Sequence, residues 1–189
     1  IKIWKGGLAS HGGAIGIILA LYMFVRKEKR PYIWILDRIA VVAAISGFFI
    51  RMGNLFNSEI YGYETDLPWG FIFVNTGETV PKHPTQIYEA LAYLFIFIVL
   101  YSIYNRSSKG NTKPGMLFGW FLILTFAARF FIEFLKEVQV EAEKGWSLKL
   151  GQSLSIPFII TGLIILYFTY MNPKKLNKKY NKTYTNFSQ

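Results

Sequence analysis

Not one charged side chain interrupts the run from Leu154 to Met171, which wound as a helix is long enough to cross most of a bilayer's hydrocarbon core. In lipid the backbone of such a segment must bond its own N–H and C=O groups, and a helix does that within one segment. Comparable apolar stretches precede it at about 6–25, 32–54, 83–104 and 116–135. With 52% of the residues hydrophobic and 18% aromatic, a soluble globule is excluded. The fold class expected is an all-α integral membrane protein with about five transmembrane helices in this chain.

The polar punctuation sets the organisation. Arg26 to Arg30 nets +3, Arg106 to Lys113 nets +3 and the lysines from Lys174 to Lys182 add +5, all on alternate connections. Basic connections stay on the cytoplasmic side, so the chain is expected to be multi-pass with a cytoplasmic C-terminus. The division expected is a transmembrane helical domain over 1–172 and a basic cytoplasmic tail over 173–189. The connection between the second and third runs carries Glu59, Glu64, Asp66 and Glu78 against Lys82 and reads as external. The formal charge of +10 sits in clusters beside apolar runs, which suits anionic membrane lipids and argues against nucleic acid as a partner. The chain opens on Ile1 with no initiator Met, so residues upstream are expected.

Threaded through that topology, the unusual residues converge. His11 opens the first run, Asp37 beside Arg38 reads as an interfacial pair, and Arg51 and Asn54 close the second run. His83 and Pro84 open the third, with Pro84 in the first helical position and His83 at the cap, and Arg129 and Glu133 close the fourth. Apart from the Asp37–Arg38 pair, all of these fall at the outer end, giving an expected polar site within the outer leaflet. If the helix continues past Arg51, then Arg51, Asn54 and Asn57 form a polar stripe, with Tyr61 two turns beyond Asn54. Arg51 reads either as a snorkelling interfacial side chain or as part of that stripe.

Arg129 and Glu133 stand four residues apart on one helix face, with Lys136 a turn further. Two readings stand: an ion pair tying helices together, or Arg129 and Arg51 converging on an anion, which guanidinium grips through paired hydrogen bonds. In the outer leaflet that anion is a phospholipid headgroup. His11 is followed by Gly12 and Gly13, which allow close approach to the imidazole. A neutral buried imidazole accepts a proton at pH 7, so His11 is a candidate base beside the plainer reading of a packing histidine. His83 and Glu89 read more readily as packing and hydrogen-bonding groups. There is no cysteine, which removes disulfides and a cysteine nucleophile from the chain. No metal-ligand spacing, GxSxG elbow or phosphate-cradling loop of the nucleotide-binding kind occurs.

Five motifs, Ser10-His-Gly-Gly-Ala-Ile-Gly16, Arg51-Met-Gly-Asn-Leu-Phe-Asn-Ser-Glu-Ile-Tyr-Gly62, His83-Pro-Thr-Gln-Ile-Tyr-Glu89, Arg129-Phe-Phe-Ile-Glu133-Phe and Gly151-Gln-Ser-Leu-Ser-Ile-Pro157, together resemble the prolipoprotein diacylglyceryl transferase family. The resemblance implies an enzyme of the bacterial plasma (inner) membrane. It would move a diacylglyceryl group from phosphatidylglycerol to the lipobox cysteine of a prolipoprotein, form a thioether and release glycerol 1-phosphate, with no metal or cofactor. Members usually have seven spans, so this chain would lack the first two. By the same resemblance His11, Arg51 and Arg129 are the catalytic candidates, and Asn54, Asn57, Glu59, Gly62, His83 and Glu133 bind substrate. Lys136 stands where the family often has arginine; lysine keeps the charge without the bidentate fork. The 137–150 connector also departs from the family's shorter pattern. From a different class, the alternative is a non-catalytic lipid-binding or transport protein. That alternative predicts polar groups near the midplane and symmetric halves, neither of which this sequence displays.

Overall fold

A computed structural model describes residues 10–107, 112–137 and 148–171; the side chains of residues 10–12 and 14 lie outside that description. Among the described residues five α-helices follow one another: α1 (Ser10–Lys27), α2 (Tyr32–Phe56), α3 (Thr85–Arg106), α4 (Met116–Ile132) and α5 (Leu150–Met171). Among the described residues four segments meet the length and apolar composition needed to cross a membrane: Tyr32–Phe56, Thr85–Arg106, Met116–Leu135 and Leu150–Met171. The first expected span is not among them. As described, α1 runs over 18 residues and ends on Arg26 and Lys27, and the residues before Ser10 lie outside the described ones.

The bundle is built on two principal pairings, α2 with α3 and α4 with α5, joined by contacts of α4 with both α2 and α3, while α1 rests lightly on α2. Its apolar centre comprises Val41, Ala44, Tyr93, Ile96, Leu100 and Leu117. Water does not drive these helices together in lipid, so close packing and buried polar bonds carry the association. Small residues provide the first. A Cβ placed on Gly162 would lie 2.9 Å from the Gly119 carbonyl oxygen, so the two backbones approach as only glycines permit. Asp37 provides the second. Its carboxylate accepts hydrogen bonds from the Gly115 N–H at 2.7 Å and the Phe118 N–H at 2.9 Å, capping α4 from a different helix. The carboxylate expected to pair at the interface is thus spent inside the bundle. Arg38 lies over the Trp34 ring and donates to the Trp34 carbonyl.

At the other end of α2 the helix stops sooner than the stripe required. Asn57 is its C-cap, and Ser58 and Ile60 take positive φ of 56° and 61°, which costs a β-branched residue appreciable strain. Thr85 and Gln86 hold the strained segment: Thr85 Oγ1 donates to the Ile60 carbonyl at 2.8 Å and Gln86 Nε2 to the Glu59 carbonyl at 2.6 Å. Tyr61 therefore leaves the helical stripe, and its hydroxyl donates to Glu78. The start of α3 also shifts by one residue, because Pro84 sits at the N-cap with ψ of 69° and Thr85 opens the helix.

Candidate active site

A lone charge inside an apolar helix costs roughly 3 kcal/mol on insertion scales, so it is expected to find a partner. Glu89, one turn into α3, has no exposed surface, and two cations meet it. Arg51 Nε lies 2.9 Å from Oε2 and Lys136 Nζ 2.9 Å from Oε1. Lys136 Nζ is also 3.5 Å from Glu133 Oε2. On the other side of Arg51, its Nη1 donates to Asn54 Oδ1 at 3.3 Å, and Asn54 Nδ2 donates to Glu59 Oε2 at 3.1 Å. The result is a continuous polar relay, Glu59, Asn54, Arg51, Glu89, Lys136, Glu133, joining α2, α3 and the end of α4.

Backbone pairing holds the relay's two ends together. The Gly62 N–H donates to the His83 carbonyl and the Tyr63 N–H to the Leu135 carbonyl, both at 2.9 Å, and Gly62 forms an antiparallel bridge with Lys136. A side chain at 62 would strike the Leu135 carbonyl oxygen and come within 2.8 Å of both His83 Cβ and Thr85 Cγ2, so the stretch ends on glycine for want of room. Across the site, a Cβ on Gly151 would lie 2.6 Å from each Glu133 carboxylate oxygen. The first turn of α5 thus closes on Glu133, and Lys149 Nζ donates to the carbonyls of Glu133 and Lys136.

A second ionic group ties down the loop between α2 and α3. Lys82 Nζ is 3.0 Å from Glu78 Oε2 and 2.5 Å from Glu137 Oε1. Burial by itself would lower the Lys82 pKa, but the hydrogen bonds it donates to Glu137 and Glu78 and their charges outweigh it and raise the ammonium well above its ordinary value. Hydrogen bonds from Tyr61 and then Lys82 hold the Glu78 carboxyl below the usual glutamate value.

The site residues expected from sequence are therefore treated unequally. Arg51, Asn54, Glu59 and Glu133 meet in the relay, and Gly62 lies at its seam. Arg129 and Glu133 do not pair. Helix α4 ends at Ile132 and tightens into a 3₁₀ turn over Glu133–Leu135, which gives Glu133 to Lys136. The Arg129 side chain has neither a hydrogen bond nor an ion pair among the described residues, yet it and Arg51 both lie within electrostatic reach of the Tyr93 hydroxyl. Asn57 is exposed at the end of α2. The His83 ring joins an aromatic group instead of the relay: Nδ1 is 3.2 Å from Tyr88 Oη, which accepts from Trp69 Nε1 at 2.9 Å. His11 falls in the first turn of α1, and its side chain lies outside the described residues. Glu89 and Lys136 prove central although the first reads from sequence as a packing group. The available signal was a glutamate inside an apolar run, which demands cations nearby.

Four apolar helices long enough to cross a membrane, with a polar relay at one end of the bundle, define a polytopic membrane protein. Residues 1–168 match the family model described as prolipoprotein diacylglyceryl transferase, and the chain belongs to that family. It is 46% identical to the phosphatidylglycerol–prolipoprotein diacylglyceryl transferase of Tolumonas auensis over 88% of this chain and 64% of the relative. Proteins of the same name from Bacteroides fragilis and Chloroherpeton thalassium are 46% and 43% identical over 86% and 88% of this chain. The chain spans between 58% and 64% of the length of these three relatives.

Proposed function

We propose that this chain forms most of an enzyme that transfers the diacylglyceryl group of phosphatidylglycerol to the thiol of a prolipoprotein's lipobox cysteine. A thiol with a pKa near ~8.5 is mostly protonated at pH 7, so a base must take its proton, and His11 in the first turn of α1 is assigned that role. The thiolate sulfur attacks the glycerol carbon that bears the phosphoester. A C–S bond forms as the C–O bond breaks, and glycerol 1-phosphate leaves with the electron pair on its oxygen. Arg51 and Arg129 neutralise that departing charge. Asn54 and Glu59 steady the Arg51 fork, Glu133 orients Lys136, Gly62 permits the close seam, and Asn57 and His83 lie at the rim, where substrate enters. The reaction needs no metal in this reading.

One observation carries the proposal: Arg51 is held rigidly by Glu89 and Asn54, while the Arg129 side chain, within electrostatic reach of the Tyr93 hydroxyl, has no ion pair among the described residues. A fixed cation beside an uncommitted one suits a phosphate that is bound and then released. The membrane arrangement belongs to the same reading. Helix α1 serves as a fifth span, the polar site faces the outer leaflet of the bacterial inner membrane, and the C-terminus is cytoplasmic, as the basic connections favour.

Arg51→Lys in the intact enzyme tests the phosphate role. It keeps the charge and loses the fork. Transfer of labelled diacylglyceryl to a lipobox peptide should fall by about 10²- to 10³-fold, as when one transition-state donor is removed; near-normal turnover in a folded variant rejects the role.

A further inference from the structure

Four buried side-chain atoms among the described residues have no hydrogen-bond partner, and three of them, Gln86 Oε1, Glu89 Oε2 and Glu133 Oε2, belong to this one site. All three are acceptors. The two carboxylate oxygens at least have cations within 3.5 Å; Gln86 Oε1 has nothing. Gln86 has no exposed surface, and a buried carbonyl without a donor is uncommon enough to require an explanation.

The orientation of the Gln86 amide is fixed by chemistry. Its other end meets the Glu59 backbone carbonyl at 2.6 Å, which can only accept, so nitrogen must occupy that position and oxygen the orphaned one. Gln86 precedes Glu89 by one turn on the same face of α3. It is tied to Arg51 from both sides, through Glu89 along the helix and through Glu59 and Asn54 across the loop. The hydrogen bond between Asn54 and the side chain of Glu59, whose carbonyl holds the Gln86 nitrogen, is exposed.

We infer that Gln86 is a specificity-determining residue, its carbonyl accepting a hydrogen bond from a hydroxyl of the glycerol phosphate headgroup whose phosphate Arg51 and Arg129 bind. This rests on the transferase reading and adds the means by which the site selects its donor lipid. The charge balance explains why the donor is a hydroxyl. Arg51, Arg129, Lys136 and Lys149 face Glu59, Glu89 and Glu133, a small positive excess that an anionic phosphate neutralises and an ammonium headgroup would worsen. A neutral carboxamide oxygen suits a neutral hydroxyl. A site that offers a buried acceptor also rejects an analogue lacking the donor, because the acceptor then stays unpaired.

The test uses the intact enzyme with a lipobox peptide and two donors, phosphatidylglycerol and phosphatidylpropanol, which keeps the phosphodiester and loses both hydroxyls. The native protein should favour phosphatidylglycerol by about tenfold or more in kcat/KM. Gln86→Met should bring the two donors within about threefold of one another, chiefly by losing phosphatidylglycerol turnover. Gln86→Asn, which retracts the carbonyl by one methylene, should move the ratio the same way if the methionine variant does not fold. Equal use of both donors by the native protein, or an equal fall with both donors in the variants, overturns the inference. If the native protein transfers neither lipid, the transferase reading fails, and protection against thermal unfolding decides the inference separately. Glycerol 1-phosphate protecting more than propyl phosphate in the native protein, and not in Gln86→Met, supports it, and equal protection overturns it.

Discussion

Glu89→Gln removes one negative charge from the centre of the relay and little else, since glutamine has nearly the same shape. In the native protein the Glu89 oxygens lie 2.9 Å from Arg51 Nε and 2.9 Å from Lys136 Nζ, with no exposed surface. At an effective dielectric near 20, each contact represents about 6 kcal/mol of Coulomb attraction, most of it offset by the cost of taking the ions out of water. The substitution leaves two cations facing a neutral amide. Breaking a buried pair in this way typically costs about 3–5 kcal/mol, because the stranded charge keeps its desolvation cost. Equilibrium unfolding in mixed micelles, titrated with SDS, should show a loss of that size. Lys136→Met combined with Glu89→Gln should lose less than the two single changes added together, with a coupling of about 1 kcal/mol or more. A Glu89→Gln protein within about 0.5 kcal/mol of native would refute the claim that Glu89 holds the site together.

Other consequences follow from the same geometry. Gly62→Ala drives a methyl group into the Leu135 carbonyl, His83 and Thr85; it should destabilise the seam by about 1–3 kcal/mol and speed limited proteolysis of the loop from Tyr61 to Lys82. Asp37→Ala strips α4 of its cap from the Gly115 and Phe118 amides and should cost about 2 kcal/mol, with Asp37→Asn costing less because one acceptor remains. The loop's ionic anchor should be steady across neutral pH. Glu78, whose folded pKa is depressed, supplies stability that is present above the usual value of 4.5 and lost as pH falls through the folded one. Lys82, whose folded pKa is raised, supplies stability that is present below its usual 10.5 and lost only well above it. Exchange protection of the paired Phe71 and Lys82 amides, corrected for intrinsic pH dependence, should therefore stay flat between those limits and weaken below about pH 4.5; a transition near neutrality would contradict the anchor.

How these charges distribute themselves was only partly legible beforehand. Hydropathy marks α2, α3, α4 and α5 from composition alone, because a backbone in lipid has few options other than the helix. The gathering of Arg51, Asn54, Glu59 and Glu133 could be expected too, since charged groups in apolar runs seek one another. Local spacing misled where the helix itself changed. Arg129 and Glu133 share a face only while α4 stays regular, and the 3₁₀ turn over Glu133–Leu135 hands Glu133 to Lys136. The polar stripe from Arg51 to Tyr61 fails in the same way, because α2 ends at Phe56 and the backbone reverses through Ser58 and Ile60.

By itself, then, the sequence determined that this chain lies in a membrane as apolar helices and that Arg51, Asn54 and Glu133 fall at one end of them, since solvation energies depend on residue type and order. Which cation answers which carboxylate was decided only by the tertiary structure. Glu89 becomes the hub because α3 packs against α2 and meets the end of α4 at once, and Gln86 is left with a bare carbonyl because Glu59 claims its nitrogen. Those partners are 27 to 47 residues away along the chain, a separation at which no local pattern can report who the neighbour will be.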